Sequence, residues 1–519
     1  MPTITIDGKA LEFDQGQSIL EVAHDNGLKI PHYCYHPSLS VVANCRICLA
    51  EVWAPNPRND NKLEPLPKLL PTCQEPAGDG QVVYTSSPKA TANQKAVMEM
   101  LLNHHPIDCP TCDQAGECDL QDFAYEYGRG VRRHDAEKIT QSKKDIGDNV
   151  MLYGDRCIMC TRCVRFADEI SGTSELFIDG RGAKEYIDVF PGIGINNELS
   201  GNVIDICPVG AMLDKDFMFQ QPVWFLKTAP SIDPLTSSGD NIKIEHNKNK
   251  VYRIKPRKNL EINQYWITDE VRYGWKFVHD ESRVTEMNED AELVAAEKLQ
   301  QATKIALLVS PMLSCEEAWL LSQLVRSIDS DVLIGIGPIS VVGEDKTFKS
   351  GFTMRSEKAP NARGVRRAIG DVLEYEEWKK QMSGADTVVV TGNYPEAWDT
   401  PEMSDSQTLI LIDTLANNLT QRADAFLPAA TWAEKAGTFE NYNNKLQLFE
   451  RAIHPLGDSQ AEGQIAMNLQ ALVDDMESTV FNAATVRRRM ADAGVAGMLD
   501  VEPPQNTNRV DTDMPLSEV

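Results

Sequence analysis

Strict alternation opens the chain. In "TITIDGKALEFD" apolar and polar residues exchange places on either side of Asp7-Gly8, which predicts a β-hairpin closed by a tight turn. The period then changes to that of a helix in "SILEVAHDNG". Ser18 is placed to cap it, Glu21 stands three residues on as in a capping box, and Gly27 ends it. Residues 54–71 hold five prolines and are expected to form an irregular loop. A further helix is predicted over 88–103, where Val97, Met98, Leu101 and Leu102 share one stripe.

The texture changes after residue 220. "NIKIEHNKNKVYRIKP" reads as two strands joined by a polar turn. "KIALLVS" then precedes the helical pattern "SCEEAWLLSQLVRSI", and the apolar runs "DTVVVTG" and "TLILIDT" follow further helix-like stretches. Strands alternating with helices imply a parallel sheet with helices on its faces. Residues 460–498 read as helix, the last twenty or so as a disordered tail, and no internal repeat is evident.

With 519 residues, 42% apolar and 25% charged, the chain has the make-up of a soluble multidomain protein. No apolar run is long enough to span a membrane, and the first residues lack the layout of a secretory signal or transit peptide. A cytoplasmic setting, or the cytoplasmic face of something larger, is the expectation. A net charge of -26 opposes nucleic acid and otherwise serves solubility.

Cysteine usage alters this picture. Eleven of the twelve cysteines lie within residues 1–207, and only Cys315 lies beyond. In a chain without a secretory signal, such clustering points to metal ligation before disulfides. Cys34, Cys45, Cys48 and Cys73 form a C-x2-C core with one outlier on each side, directly after a β-grasp-like pattern. That resembles plant-type [2Fe–2S] ligation with a longer first interval; a structural zinc site is the alternative. "CIMCTRC" sets Cys157, Cys160 and Cys163 at the spacing that wraps one corner of a [4Fe–4S] cubane, and Cys207, followed by Pro208, supplies the fourth ligand. Arg156, Arg162 and Arg165 either place positive charge beside that cluster, favouring its reduced state, or are ordinary surface charge.

Three cysteines remain: Cys109, Cys112 and Cys118 in "NHHPIDCPTCDQAGECDL". That set is one ligand short, and a histidine can replace a thiolate on iron. His104 and His105 both stand just before it, and spacing alone does not separate them. Cys315, alone on a predicted helix, is expected to be a core residue. The glycine pairs of "LIGIGPISVVG" and "FPGIGINNELSG" miss the dinucleotide fingerprint and are read as turns.

At this point a resemblance is specific. "NHHPIDCPTCDQAGECDLQDFAYEYG", "DRCIMCTRCVRFADEISG" and "DICPVGAM" are similar to the large iron–sulfur subunit of NADH:quinone oxidoreductase, respiratory complex I, densely over residues 1–220. The resemblance implies that His105, the histidine immediately before proline, joins Cys109, Cys112 and Cys118 on a [4Fe–4S] cluster. It implies an electron relay from a flavin/NADH-binding partner through one [2Fe–2S] and two [4Fe–4S] clusters toward quinone. No catalytic residue, NAD or FMN is then expected on this chain. Further implied partners are a thioredoxin-like [2Fe–2S] subunit, a two-cluster ferredoxin subunit and quinone-proximal subunits. The setting would be the peripheral arm of a complex on the cytoplasmic side of the bacterial inner membrane.

The remainder is similar to molybdopterin oxidoreductases in "KNKVYRIKPRKNLEINQYWITDEVRYGW" and "FLPAATWAEKAGTFENYNNKLQ". The cysteine spacing that opens those enzymes falls on Asp233, Thr236, Asp240 and Thr268, so no thiolate is left to hold a cluster there. The expected plan is multidomain, α+β and then α/β. A β-grasp [2Fe–2S] domain spans 1–80, a histidine-ligated [4Fe–4S] domain 81–145, and a ferredoxin-like [4Fe–4S] domain 146–220. A vestigial domain without a cluster follows over 221–278, then a shortened molybdopterin-oxidoreductase-like scaffold without molybdopterin over 279–498 and a flexible tail over 499–519. A self-sufficient molybdenum enzyme or iron hydrogenase would need a full cofactor domain or more cysteines after residue 220. The electron-transfer subunit of an NAD-linked hydrogenase would usually stop soon after the third cluster.

Overall fold

A computed structural model describes residues 1–501, 503 and 504, apart from Ala136 and Ile139. The described chain divides into two compact units, Met1–Phe225 with Phe348–Ser350, and the remaining residues from Leu226 onward. Most of the predicted tail, residue 502 and residues 505–519, lies outside the described residues.

The first unit opens with strands β1 (Thr3–Ile6) and β2 (Lys9–Glu12), paired antiparallel across Asp7 and Gly8. Both turn residues have positive φ, 46° and 84°, the turn whose twist matches a hairpin. Helix α1 (Ile19–Asp25) carries the complete Ser18/Glu21 capping box and buries Ile19, Leu20, Val22 and Ala23. Strands β3 (Leu49–Asn56), β4 (Lys62–Pro65), β5 (Leu70–Pro71) and β6 (Val82–Tyr84) complete a sheet ordered β2-β1-β6-β3-β4, with β1 and β6 parallel. This is the β-grasp arrangement.

The irregular loop expected over 54–71 is therefore in part a hairpin. Its prolines are tolerated because β4 is an edge strand and β3 pairs only with β4 beyond Trp53, where a missing N–H breaks no inner ladder. Helix α2 (Pro88–His104) begins with proline after the Ser87 cap, and α3 (Asp119–Tyr127) follows Cys118. Strands β7 (Lys143–Asp145) and β8 (Val150–Tyr153), the short helix α4 (Arg162–Phe166), the hairpin β9 (Leu176–Asp179)/β10 (Tyr186–Val189), helix α5 (Asn202–Ile206) and β11 (Met212–Asp214) complete the unit.

The second unit contains the strand pair predicted over 241–256, joined through left-handed Lys248 and Asn249 and extended by Lys227–Ile232. Its parallel sheet runs in the order Leu333–Ile336, Ile305–Val309, Thr387–Thr391, Thr408–Asp413, Ala425–Pro428. The middle strands are buried along their length, as their unbroken apolar runs require. Cys315 is fully buried at the start of the helix Cys315–Ile328. The single helix expected over 460–498 is two, Glu462–Val473 and Ala483–Asp492. Asp475 is left-handed, and Asn482 caps the second helix by accepting from the Thr485 amide. Together they end one helix and start another.

Candidate metal centres

All twelve cysteines are free thiols. Cys34, Cys45 and Cys48 sit on the loop before β3, and Cys73 sits in the turn after β5. Their sulfurs form two close pairs, Cys34–Cys45 at 3.5 Å and Cys48–Cys73 at 3.6 Å. At a tetrahedral metal with thiolate bonds of about 2.3 Å, two ligand sulfurs stand about 3.8 Å apart. Each pair thus fits one metal, and the two pairs fit a two-metal centre. Among the described residues no three His, Cys, Asp or Glu side chains gather as around a single ion. Within each pair the two thiols stand at hydrogen-bonding distance. The hydrogen bond from Cys34 draws the Cys45 thiol down to about 5, and the bond from Cys73 lowers Cys48.

The second set is placed by helix ends. Pro106 disfavours helix at the residue before it, and α2 ends with His105 extended at φ -67°, ψ 134°. His105 is half-buried, and its Nδ1 is sealed from water with no hydrogen-bond partner among the described residues, whereas His104 is exposed. Burial lowers the His105 pKa to about 4, which leaves a neutral imidazole. A buried ring nitrogen without a partner is unusual, and a metal can take that place. Cys109 and Cys112 flank a short turn and Cys118 precedes α3. Burial pushes the Cys118 thiol up to about 12 and raises Cys112. Gly210, from the "CPVGAM" segment, was not singled out in the sequence. A Cβ there would lie 2.3 Å from Cys112 Sγ, so the glycine makes room for that sulfur.

The third set lines one cavity: Cys157, Cys160, Cys163 and Cys207 surround it with Ile158, Ile187, Val209 and Ala211. Met159 and Thr161, between the cysteines of the triplet, have φ of 53° and 61°, a conformation that non-glycine residues adopt at a cost and that clusters at functional sites. Helix α5 ends at Cys207 because Pro208 cannot continue it. Burial lifts Cys157 to about 12 and Cys160 to about 11, and raises Cys163 and Cys207. Buried thiols of this kind ionise when a cation supplies the compensating charge.

Cysteines of all three sets pack into one apolar core. Cys34, Cys118 and Cys160 share it with Tyr33, Ile47, Met98 and Phe123, and Cys45, Cys157 and Cys207 lie against it. The three arginines of the third motif are not surface charge: Arg156, Arg162 and Arg165 are 2%, 8% and 8% exposed. Arg156 pairs with Asp108 at 2.6 Å. The two stand immediately before Cys157 and Cys109, a signal of opposite charges beside two motifs that the sequence reading passed over.

In the second unit Asp233, Thr236, Asp240 and Thr268 are all buried. Asp233 accepts from the Leu235 amide and from the hydroxyls of Thr236 and Ser238, and Thr268 caps a helix by accepting from the Val271 amide.

Comparison with known proteins follows the same partition. A family model described as "2Fe-2S iron-sulfur cluster binding domain" matches residues 1–88, and "NADH-ubiquinone oxidoreductase-G iron-sulfur binding region" matches 94–133. "NADH-quinone oxidoreductase subunit 3, ferredoxin-like domain" matches 147–213 and "NADH-ubiquinone oxidoreductase NDSU1/NuoG-like, 4Fe-4S domain" matches 226–276. "Molybdopterin oxidoreductase" matches 382–471.

The G subunit of NADH-quinone oxidoreductase from Rickettsia felis is 35% identical over 344 residues, 64% of this chain and 50% of the relative. The mitochondrial NADH-ubiquinone oxidoreductase 78 kDa subunit of Neurospora crassa is 42% identical over 273 residues, 52% of this chain and 35% of the relative. The chain thus spans half or less of the curated relatives it matches. A chain in the crystal structure of an NAD+-reducing [NiFe]-hydrogenase is 30% identical, covering 43% of this chain and 91% of that one at a TM-score of 0.38. Through its iron–sulfur domains the chain is homologous to the large iron–sulfur subunit of NADH-quinone oxidoreductase, in its bacterial form and in its mitochondrial 78 kDa counterpart.

Proposed function

We propose that this chain is an electron-relay subunit of an NADH:quinone oxidoreductase, taking electrons from a flavin/NADH-binding partner toward quinone. The observation that carries the reading is one apolar core that packs against cysteines from each of the three sets, in a chain whose iron–sulfur domains are homologous to those of such a complex. The ligand sets are Cys34, Cys45, Cys48 and Cys73 for a [2Fe–2S] cluster, and His105, Cys109, Cys112 and Cys118 for a [4Fe–4S] cluster. Cys157, Cys160, Cys163 and Cys207 hold a second [4Fe–4S] cluster. When bound, these clusters supply one-electron carriers. The protein's own part is to hold thiolates in an apolar setting, to exclude water, and to use neutral His105 where a thiolate would add negative charge. No residue of this chain serves as a catalyst, and NAD, FMN and molybdopterin lie elsewhere or are absent.

The second unit is a shortened scaffold without a cluster, since Asp233, Thr236, Asp240 and Thr268 stand where ligands would be needed. Its neighbours are the other peripheral-arm subunits: the flavin, thioredoxin-like, two-cluster ferredoxin and quinone-proximal ones. Among the described residues no helix is long and apolar enough to cross a membrane, and the place proposed for the chain is the peripheral arm, on the cytoplasmic side of a bacterial inner membrane. Iron and acid-labile sulfide analysis with low-temperature EPR tests this on the anaerobically purified complex. Beyond the irons and signals of its cluster-bearing partners, this chain is expected to contribute about ten irons, in one [2Fe–2S] and two [4Fe–4S] signals. Bound zinc with little iron would refute the reading.

A further inference from the structure

The three buried arginines of the third motif reach the backbone and side chains of the other two motifs. Arg165 donates from Nη2 to the carbonyl of Cys34 at 2.5 Å and to that of Cys160 at 3.2 Å, and from Nη1 to the carbonyl of Ser40. Arg162 donates to the carbonyl of Tyr35 at 2.7 Å and to that of Ile206, the residue before Cys207, at 3.2 Å. Asn44 adds a contact from the first loop to the carbonyl of Met159 at 3.1 Å. Arg156 faces the other way. It holds Asp108, beside Cys109, and its guanidinium lies 4.3 Å from the centre of the Tyr153 ring.

We infer that Arg162 and Arg165 are positioning residues that lock the first ligand loop to the third and set the potentials of those two centres together, with Arg156 doing the same for the second and third. The guanidinium is suited to this because its planar fork of donors can serve two carbonyls at once and stays charged at any working pH. Backbone carbonyls are partial negative charges. Turning those of Cys34 and Cys160 onto one cation leaves both ligand residues bound to a shared positive group. A buried cation beside an anionic centre stabilises the reduced, more negative state, and it acts strongly because little water screens it. The bland alternative, that these arginines only glue the fold, explains their burial. It does not explain why each pairs a ligand-bearing segment of one set with a ligand-bearing segment of another. The inference rests on the relay proposed above, since it concerns centres that the relay requires.

The test is redox-poised EPR of the intact complex, reading each centre's potential together with the spin-relaxation enhancement that one paramagnetic centre imposes on another. Parent complex is examined first: if it lacks the three signals, the relay reading fails and the inference with it. With the signals present, Arg165→Gln should lower the reduced-to-oxidised ratio of the first and third centres about tenfold at fixed potential, equivalent to about 59 mV for one electron. The second centre should keep its potential. Arg165→Lys, which retains charge but not the fork, should leave the potentials near those of the parent and weaken the relaxation coupling of the first and third centres. It also serves if the Gln variant does not assemble. Arg156→Gln should move the second and third centres and spare the first. Unchanged potentials and coupling in all three variants, or an equal shift of all three centres in each, would overturn the inference.

Discussion

The third cysteine set and the Asp233–Thr268 segment of the second unit are two buried polar sites with opposite solutions to the same problem. In the second, polar atoms satisfy one another: Asp233 accepts from an amide and two hydroxyls, and Ser238 Oγ accepts from the Asp240 amide at 3.3 Å. In the first, four thiols line a cavity among apolar residues with Thr161 and Arg162, and burial raises the pKa of each. Neutral thiols are tolerated there, but thiolates need a cation. One site satisfies its own polar groups; the other holds buried thiols that stay neutral unless a cation compensates their charge. The difference teaches that a buried polar site is stable on its own only where its groups pair among themselves.

The largest effect expected from breaking this contrast is on iron content. Cys160→Ala should remove about four irons per complex and the corresponding [4Fe–4S] signal. Asp233→Ala should change neither. His105→Ala should likewise cost the second cluster or leave a three-iron form, while His104→Ala leaves iron and EPR unchanged. The reverse result would shift the ligand by one residue. His105→Cys should keep the cluster and lower its potential, because a thiolate adds negative charge where the imidazole had none.

Next in size is Gly210→Ala. The added methyl would have to occupy space 2.3 Å from Cys112 Sγ. Overpacking costs about 1–3 kcal/mol, and here it acts directly on a ligand. Loss of the histidine-ligated signal with retention of the other two is the expected outcome; equal loss of all three would mean a general folding defect instead.

The acidic site should respond to pH. Burial raises Asp233 to about 6, and burial with the Asp233 charge raises Asp240 well above the usual carboxylate range. Folded pKa values above unfolded ones mean that the protonated forms favour folding. For Asp233 this contribution is full below about pH 4 and is lost as pH rises through about 6, and the raised Asp240 carboxyl acts in the same direction. Asp240→Asn keeps the shape without the charge. It should stabilise the second unit at pH 8 and change little at pH 4. Thermal melts of parent and variant across that range check it, and a gap that narrows with rising pH would contradict the account.

The smallest effect concerns backbone strain in the cysteine triplet. Met159→Gly removes a left-handed non-glycine residue whose conformation costs about 1–2 kcal/mol, offset in part by glycine's greater freedom when unfolded. A net gain below about 1 kcal/mol in denaturant unfolding is expected, with iron unchanged.

What the chain alone determined is everything set by short intervals. Close cysteine spacing marked the triplet Cys157, Cys160 and Cys163 and the run Cys109, Cys112 and Cys118 as candidate ligand groups. The Asp7-Gly8 turn and both halves of the Ser18/Glu21 box are local hydrogen-bond patterns, and they stand as read. Unbroken apolar runs marked the buried parallel strands. Tertiary structure decided what depends on residues far apart in the chain. Arg156, Arg162 and Arg165 have the composition of surface charge, and only the approach of Asp108, Tyr35 and Cys34, tens to more than a hundred residues away, makes them buried links. Pro55 and Pro65 suggested a loop until pairing placed them where no inner hydrogen bond was needed. His104 and His105 are equivalent in composition, and burial alone separates them: one ring meets water, and the other turns a nitrogen inward that nothing among the described residues satisfies.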